Sequence, residues 1–97
     1  MKLVYTDHLK TRLKQREIST ELVTKVIEKN EQAFWDNLRD RHIIVSKVIY
    51  KDKARHVLVA YDKIGKNIEV VTIHPISSKE IDQKIKSGRW TDEKIED

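Results

Sequence analysis

The 97-residue sequence contains no cysteine, one proline and two glycines. Without cysteine, the chain can form neither disulfide bonds nor thiolate metal sites. It also contains no apolar run long enough to cross a bilayer, and no signal-peptide pattern opens it. We therefore expect a cytoplasmic protein with no membrane partner. The length suffices for one domain with a modest core.

Charged residues, by contrast, are abundant and unevenly distributed. They make up 37% of the chain, against 38% for hydrophobic residues. Residues 1–90 carry 19 Lys and Arg against 12 Asp and Glu, whereas residues 91–97 carry one Lys against four acids. A basic body favours a polyanionic partner such as nucleic acid. We predict a single domain over residues 5–90, followed by an acidic, frayed tail over residues 91–97.

Three segments show the hydrophobic spacing and the capping residues of helices. Their predicted ranges are 7–17, 19–30 and 77–87. Val23, Val26 and Ile27 lie on one face of the second helix, which we expect to be buried. Ser77 and Glu80 fit a capping box, the strongest local signal for the start of the third helix.

Between the second and third helices the residue pattern changes to that of β-strands. A short strand is predicted at 32–35, and longer β-branched strands at 41–50, 54–61 and 68–74, with residues 2–5 as an edge strand or an extended lead-in. Short connections between the long strands predict an antiparallel meander. We therefore predict an α+β fold with two N-terminal helices on a three- to four-stranded antiparallel sheet, a short C-terminal helix, and an open second sheet face.

In the first predicted helix, His8, Arg12 and Arg16 recur every four residues, and we call these three residues the ridge. At about 100° per residue they spread over only about 80° of the helix surface, beside Leu9 and Leu13. A ridge at the border of the buried face is held by packing and still reaches solvent, so it is a candidate site. The alternative is a solvated basic face whose side-chain stems cover the two leucines.

The remaining histidines each fall on a different predicted strand: His42, His56 and His74. Strict alternation puts Thr72 and His74 on the same strand face as Ile68 and Val70. If that face is the open one, Thr72 and His74 lie near a residue of the preceding strand. Two alternatives stay open: each histidine is an exposed or edge residue bonded to backbone, or the three form a zinc site, although their spacing matches no known ligand pattern.

The order of these motifs resembles the DUF4258 family of small proteins. The resemblance rests on the ridge, on Ile18-Ser19 leading into an apolar helix, on strands ending in Val71-Thr72-Ile73 and on Gly88-Arg89-Trp90, and it covers residues 5–90. DUF4258 proteins look related to the toxins of RelE/ParE-type and BrnT-type toxin–antitoxin modules. The resemblance thus implies helices paired with an antiparallel sheet, and many such toxins cut RNA without a metal. It supplies no catalytic set of residues.

Metal-free RNA cleavage needs a base for the attacking 2′-OH, an acid for the leaving oxygen and cations on the phosphate. Histidine suits the first two roles and arginine the third. The candidate catalytic residues are His8, Arg12, His56 and His74. The candidate nucleic-acid-binding residues are Arg16, Arg41, Lys47, Arg55, Arg89 and Trp90. We expect no cofactor and no metal. Trp90 is expected at the surface, where it can stack on unpaired bases, and Trp35 and Tyr61 in the core.

Three hypotheses about function remain. The first is an endoribonuclease toxin with the ridge at its site, partnered by RNA or the ribosome and by a cognate antitoxin, and able to form a homodimer. The second is a non-catalytic module that binds nucleic acid or a protein through the same ridge. The third is a structural domain in which the ridge only solvates a helix.

Overall fold

The computed structural model describes residues 2–93 of the chain. Nine secondary-structure elements follow one another in this segment: β1 (Leu3–Tyr5), α1 (Asp7–Gln15), α2 (Thr20–Lys29), β2 (Gln32–Asp36), β3 (Arg41–Tyr50), β4 (Lys53–Ile64), β5 (Asn67–Pro75), α3 (Ser78–Lys86) and β6 (Trp90–Asp92).

The predicted fold class is wrong, because the strands form one six-stranded mixed sheet in the order β1-β5-β4-β3-β2-β6. The antiparallel meander of β3, β4 and β5 is its centre. The N-terminal strand β1 pairs parallel with β5, with Leu3 opposite Ile68. The C-terminal strand β6 pairs antiparallel with β2, with Trp90 opposite Asp36. Both edge strands are three residues long, too short to show a strand period in the sequence.

The three helices lie where their capping residues predict them. The Thr6 side chain accepts a hydrogen bond from the backbone N–H of Leu9, and Ser19 accepts one from Leu22. Ser77 and Glu80 form the complete capping box at the start of α3. Because these side chains satisfy backbone donors that the first helical turn leaves free, they fix where each helix begins.

Helices α1 and α2 pack on one face of the sheet, which we call the helix-covered face. Val23 and Val26 are fully buried there, as predicted, and Ile27 is partly buried. Ser46 of β3 is also fully buried; its Oγ donates to the Val26 carbonyl at 2.8 Å and accepts from the backbone N–H of Glu31 at 3.2 Å. Hydrophobic burial and this polar contact together hold α2 on the sheet.

The second face of the sheet, which we call the α3 face, is not open as predicted. Ile76 and Ile81 from the α3 segment pack there with Trp90, over a smaller core completed by the sheet residues Phe34, Ile43, Val45, Leu58 and Ala60. This helix covers only part of the face. The uncovered part, toward β5 and the edge of α1, is a concave surface.

A β-bulge in β5 decides which side chains reach that concave surface. Ala60 pairs with Thr72, but its neighbour Tyr61 pairs with Val70, so Val71 is an extra residue. The extra residue reverses the alternation, because a shift of one position sends every following side chain to the opposite face. Thr72 and His74 therefore lie on the α3 face, whereas Val70 lies on the helix-covered face. The predicted common face for these residues is wrong.

The ordered fold extends beyond residue 90. Thr91 and Asp92, which we expected to fray, lie in β6, and the backbone N–H of Glu93 donates to the Ala33 carbonyl. The rest of the predicted acidic tail, residues 94–97, lies outside the described residues. Over residues 2–93, no helix is long and apolar enough to cross a membrane.

Candidate nucleic-acid interface

The concave surface is a cleft of about 510 Å³ on the α3 face, and we call it the basic cleft. Its walls come from α1, the central strands, α3 and the segment that leads into β6. Its charged and histidine side chains are His8, Arg12, Asp36, Arg39, Arg41, His74, Glu80, Lys84 and Arg89. Five cations and two histidines thus face two carboxylates, so the cleft favours an anion.

Two of the three ridge residues line the cleft. His8 and Arg12 are exposed on α1 and border it. Arg16 does not line it: Arg16 follows the last residue of α1, and its Nη1 donates to the Ile73 carbonyl at 3.4 Å. Its own carbonyl accepts from the Tyr50 hydroxyl at 3.3 Å. The ridge therefore does not act as one unit: His8 and Arg12 line the cleft, whereas Arg16 is bonded to the sheet.

The strand histidines do not meet in one place. His74 lines the basic cleft, and its Nδ1 lies 2.8 Å from the Pro75 carbonyl oxygen. Because a carbonyl only accepts, Nδ1 carries the proton and Nε2 has a free lone pair whenever the ring is neutral. His56 lies outside the cleft, in a second depression of about 320 Å³ with Arg55 and Glu80.

His42 lies on the opposite side of the sheet from the other two strand histidines. Its ring stacks on Tyr61, with centroids 5.0 Å apart, and Nδ1 forms an ion pair with Glu93 when the ring is protonated. The zinc site considered from the three histidines is therefore not formed. Over residues 2–93, no group of three His, Asp or Glu side chains is placed to hold a metal ion.

The predicted nucleic-acid-binding cations are likewise divided. Arg41 and Arg89 line the basic cleft, but Lys47 and Arg55 do not. Arg41 Nε donates to Asp62 Oδ1 at 3.2 Å in a half-exposed ion pair. Within residues 2–93, three cleft cations have no carboxylate partner within 4.0 Å: Arg12, Arg39 and Lys84. These three are the cations most available to a bound anion.

Asp36 is a cleft residue that the sequence did not single out. Its side chain is 3% exposed, and it accepts from Arg89 Nε at 3.2 Å and from Arg89 Nη2 at 3.1 Å. It also accepts from the backbone N–H groups of Leu38 and Arg39. Burial works to raise the pKa of Asp36, but these hydrogen bonds and the charge of Arg89 hold its pKa below the ordinary value. The residue therefore stays a carboxylate.

Trp90 is buried, not exposed as predicted. It is 2% exposed and stacks on Phe34 with the ring centroids 5.1 Å apart, while Lys84 Nζ lies 5.7 Å from its ring centroid. Its edge reaches the wall of the basic cleft. Tyr61 is buried as predicted, and Trp35 is half-buried with its ring edge against His42.

Comparison with protein families gives one match, the domain of unknown function DUF4258, over residues 5–75. This segment is most of the chain. The chain belongs to the DUF4258 family. Searches among curated proteins and among solved structures gave no match.

The DUF4258 match covers only part of the basic cleft. The matched segment runs from β1 to the end of β5 and so includes His8, Arg12, Asp36, Arg41 and His74. The resemblance that the sequence suggested over residues 5–90 is shorter than expected, and Gly88-Arg89-Trp90 lies outside the match. The DUF4258 segment therefore supplies the α1, strand and β2–β3 turn residues of the cleft, and the segment after it supplies α3, Arg89 and Trp90.

Proposed function

We propose that this DUF4258 protein binds RNA in the basic cleft and cleaves it without a metal, as an endoribonuclease toxin related to the RelE/ParE and BrnT types. One observation carries the proposal: His8 and Arg12 from α1 line the same cleft as His74 from β5 and three further arginines. These residues are distant in the sequence. Their convergence gives the cleft both the charge and the titratable groups that RNA cleavage needs.

The cations of the cleft support a phosphodiester as its ligand. Arginine presents a planar fork of donors that matches two phosphate oxygens, and the Arg12 and Arg39 side chains have no carboxylate partner within residues 2–93. An RNA strand therefore gains affinity mainly through its backbone, and that affinity depends on salt.

The two histidines support acid–base chemistry at the bound phosphate. In this proposal Nε2 of His74 accepts the proton of the 2′-OH, whose oxygen then attacks the phosphorus. The bond from phosphorus to the 5′ oxygen breaks, and His8 in its protonated form donates a proton to that oxygen. The products are a 2′,3′-cyclic phosphate and a 5′-OH end. Arg12 and Arg41 stabilise the charge that develops on the phosphate oxygens.

A toxin of this kind acts on RNA, free or on the ribosome, and is held inactive by a cognate antitoxin. An antitoxin that blocks the proposed site has to cover the mouth of the basic cleft, where the cations of α1 and α3 lie. Acidic side chains on that antitoxin segment complement the cleft. Co-expression with the protein encoded by the neighbouring gene should restore growth if the neighbour is the antitoxin.

The test is cleavage of a labelled single-stranded RNA by the purified protein in the presence of EDTA. We expect products with 2′,3′-cyclic phosphate ends. His74→Ala and His8→Ala should abolish cleavage but keep most of the RNA affinity, because the arginines remain. His56→Ala should keep cleavage, since His56 lies outside the cleft.

Other outcomes separate the alternatives. Salt-dependent RNA binding without cleavage would favour the second hypothesis, a non-catalytic binding module that uses the same cleft. No binding to RNA at low salt would contradict both proposals and leave the structural domain.

A further inference from the structure

The β2–β3 turn of the basic cleft is organised around one buried carboxylate. Both oxygens of Asp36 are occupied: Oδ1 accepts from the backbone N–H groups of Leu38 and Arg39 and from Arg89 Nε, and Oδ2 accepts from Arg89 Nη2. The turn is fastened further by the backbone N–H of Asn37, which donates to the Arg89 carbonyl at 2.7 Å.

Three of the five cleft cations lie on or next to the turn that this carboxylate organises, and Arg89 is bonded to it directly. Arg89 is bonded to it through its side chain, with Nε and Nη2 facing Asp36, which leaves Nη1 free of that contact. Arg39 is held through its backbone N–H. Arg41 is the cross-strand partner of Asp36 in the β2–β3 pairing, so the same turn sets its register.

We propose that Asp36 is a positioning residue that orients Arg39, Arg41 and Arg89 as a clamp for one phosphate of the bound RNA. The inference rests on the proposed function, since it takes the cleft to bind RNA. Asp36 itself does not contact the phosphate. Its negative charge offsets one positive charge of the cleft. Its hydrogen bonds hold the Arg89 side chain in one conformation, where it would otherwise sample many rotamers.

Charge and positioning predict opposite results for Asp36→Asn. The substitution removes a negative charge from a site that binds an anion, so charge alone predicts tighter RNA binding and a steeper salt dependence. Positioning predicts weaker binding, by about tenfold for the loss of one charge-assisted hydrogen bond, and a shallower salt dependence. The Asn oxygen still accepts from the turn backbone, so the turn itself is retained.

Asp62→Asn is the matched control. Asp62 also pairs with an arginine of the cleft, Arg41, but the pair is half-exposed, and among residues 2–93 no backbone N–H of a turn donates to Asp62. The control removes the same charge without breaking a buried two-bond contact such as that between Asp36 and Arg89. We expect its RNA affinity to equal or exceed that of the wild type.

Arg89→Lys tests the clamp at constant charge, and it remains informative if Asp36→Asn does not fold. Lysine keeps the positive charge but cannot donate in parallel to both Asp36 oxygens. The clamp predicts that Arg89→Lys loses as much affinity as Arg89→Ala, whereas charge alone predicts near wild-type affinity. In the Arg89→Ala background, Asp36→Asn should no longer weaken binding but should strengthen it, because the carboxylate then has no arginine to orient and the Asn oxygen still accepts from the turn backbone.

The measurement is the Kd for a short fluorescein-labelled single-stranded RNA over a salt series, with circular dichroism as the folding control. Weaker binding by folded Asp36→Asn and Arg89→Lys, with Asp62→Asn unaffected or tighter, supports the clamp. Wild-type or tighter binding by Asp36→Asn, or wild-type affinity in Arg89→Lys, overturns the clamp but leaves RNA binding in place. Absence of RNA binding by the wild type overturns the clamp and the proposed function together.

Discussion

Replacing Val26 with aspartate tests how α2 is held on the sheet. Val26 has no exposed surface and lies in the core between α2 and the strands. Its burial contributes about 1.5–3 kcal/mol, which the substitution forfeits. A carboxyl group placed there has no partner and costs about 2 kcal/mol or more, whether it stays charged or takes up a proton. The expected loss of roughly 3.5–5 kcal/mol or more is comparable with the whole stability of a small domain.

Thermal unfolding followed by circular dichroism measures the effect. For a domain of this size each kcal/mol corresponds to about 4–8 °C, so Val26→Asp should lower Tm by at least about 15 °C or leave the chain unfolded at room temperature. Lys25→Asp is the control, because it places the same side chain on the exposed side of the same helix. A Val26→Asp protein that melts within a few degrees of Lys25→Asp would refute the packing of α2.

Two further changes test the α3 face and the buried carboxylate. Trp90→Ala should lower the unfolding free energy measured in urea by about 3–5 kcal/mol, because the ring is buried against Phe34. Trp35 is only half-buried, so Trp35→Ala should lower it clearly less. Equal losses in the two variants would contradict the burial of Trp90. The pKa of Asp36 is lower in the folded protein than its ordinary value of 3.8. Its contribution to stability is therefore present above pH 3.8 and is lost as the pH falls through the lower folded value. In Asp36→Asn the unfolding free energy should consequently fall less between neutral and acid pH than it does in the wild type.

The helices were predictable from the sequence because their signals are local. Ser19 and Ser77 cap helices by bonds to residues three positions ahead, and the spacing of Val23 and Val26 shows a buried face within one helical turn. The central strands were predictable for a similar reason, since they are long and β-branched. None of these signals depends on distant parts of the chain.

The edges of the sheet and the bulge were not predictable in the same way. The pairing of Leu3 with Ile68 and of Trp90 with Asp36 joins segments that are far apart in the sequence, and each edge strand is too short to show a period. One extra residue, Val71, turned Thr72 and His74 to the other face, and nothing in the residue types marks that position. Register depends on tertiary packing, which a single sequence does not display.

The candidate site was predictable in part. The ridge pattern identified His8 and Arg12, but helical spacing alone did not distinguish them from Arg16. Helix α1 ends before Arg16, and the Arg16 side chain bonds the Ile73 carbonyl of the sheet instead. Asp36 was not among the candidate site residues. Its position at the start of the Asp36-Asn37 turn is typical of a side chain that bonds the following backbone, but its partner Arg89 lies on a segment that no local signal connects to it.

The salt dependence of RNA binding by Arg12→Ala tests most directly whether the basic cleft holds phosphate. Arg12 lines the cleft, whereas Arg16 carries the same charge one helical turn further on and lies outside it, which makes Arg16→Ala the matched control. With a single-stranded RNA, folded Arg12→Ala should bind more weakly, and its slope of log Kd against log salt should be shallower by about 0.7. Arg16→Ala should change the slope clearly less. An unchanged slope in folded Arg12→Ala, or equal changes in both variants, would contradict a phosphate site in the cleft.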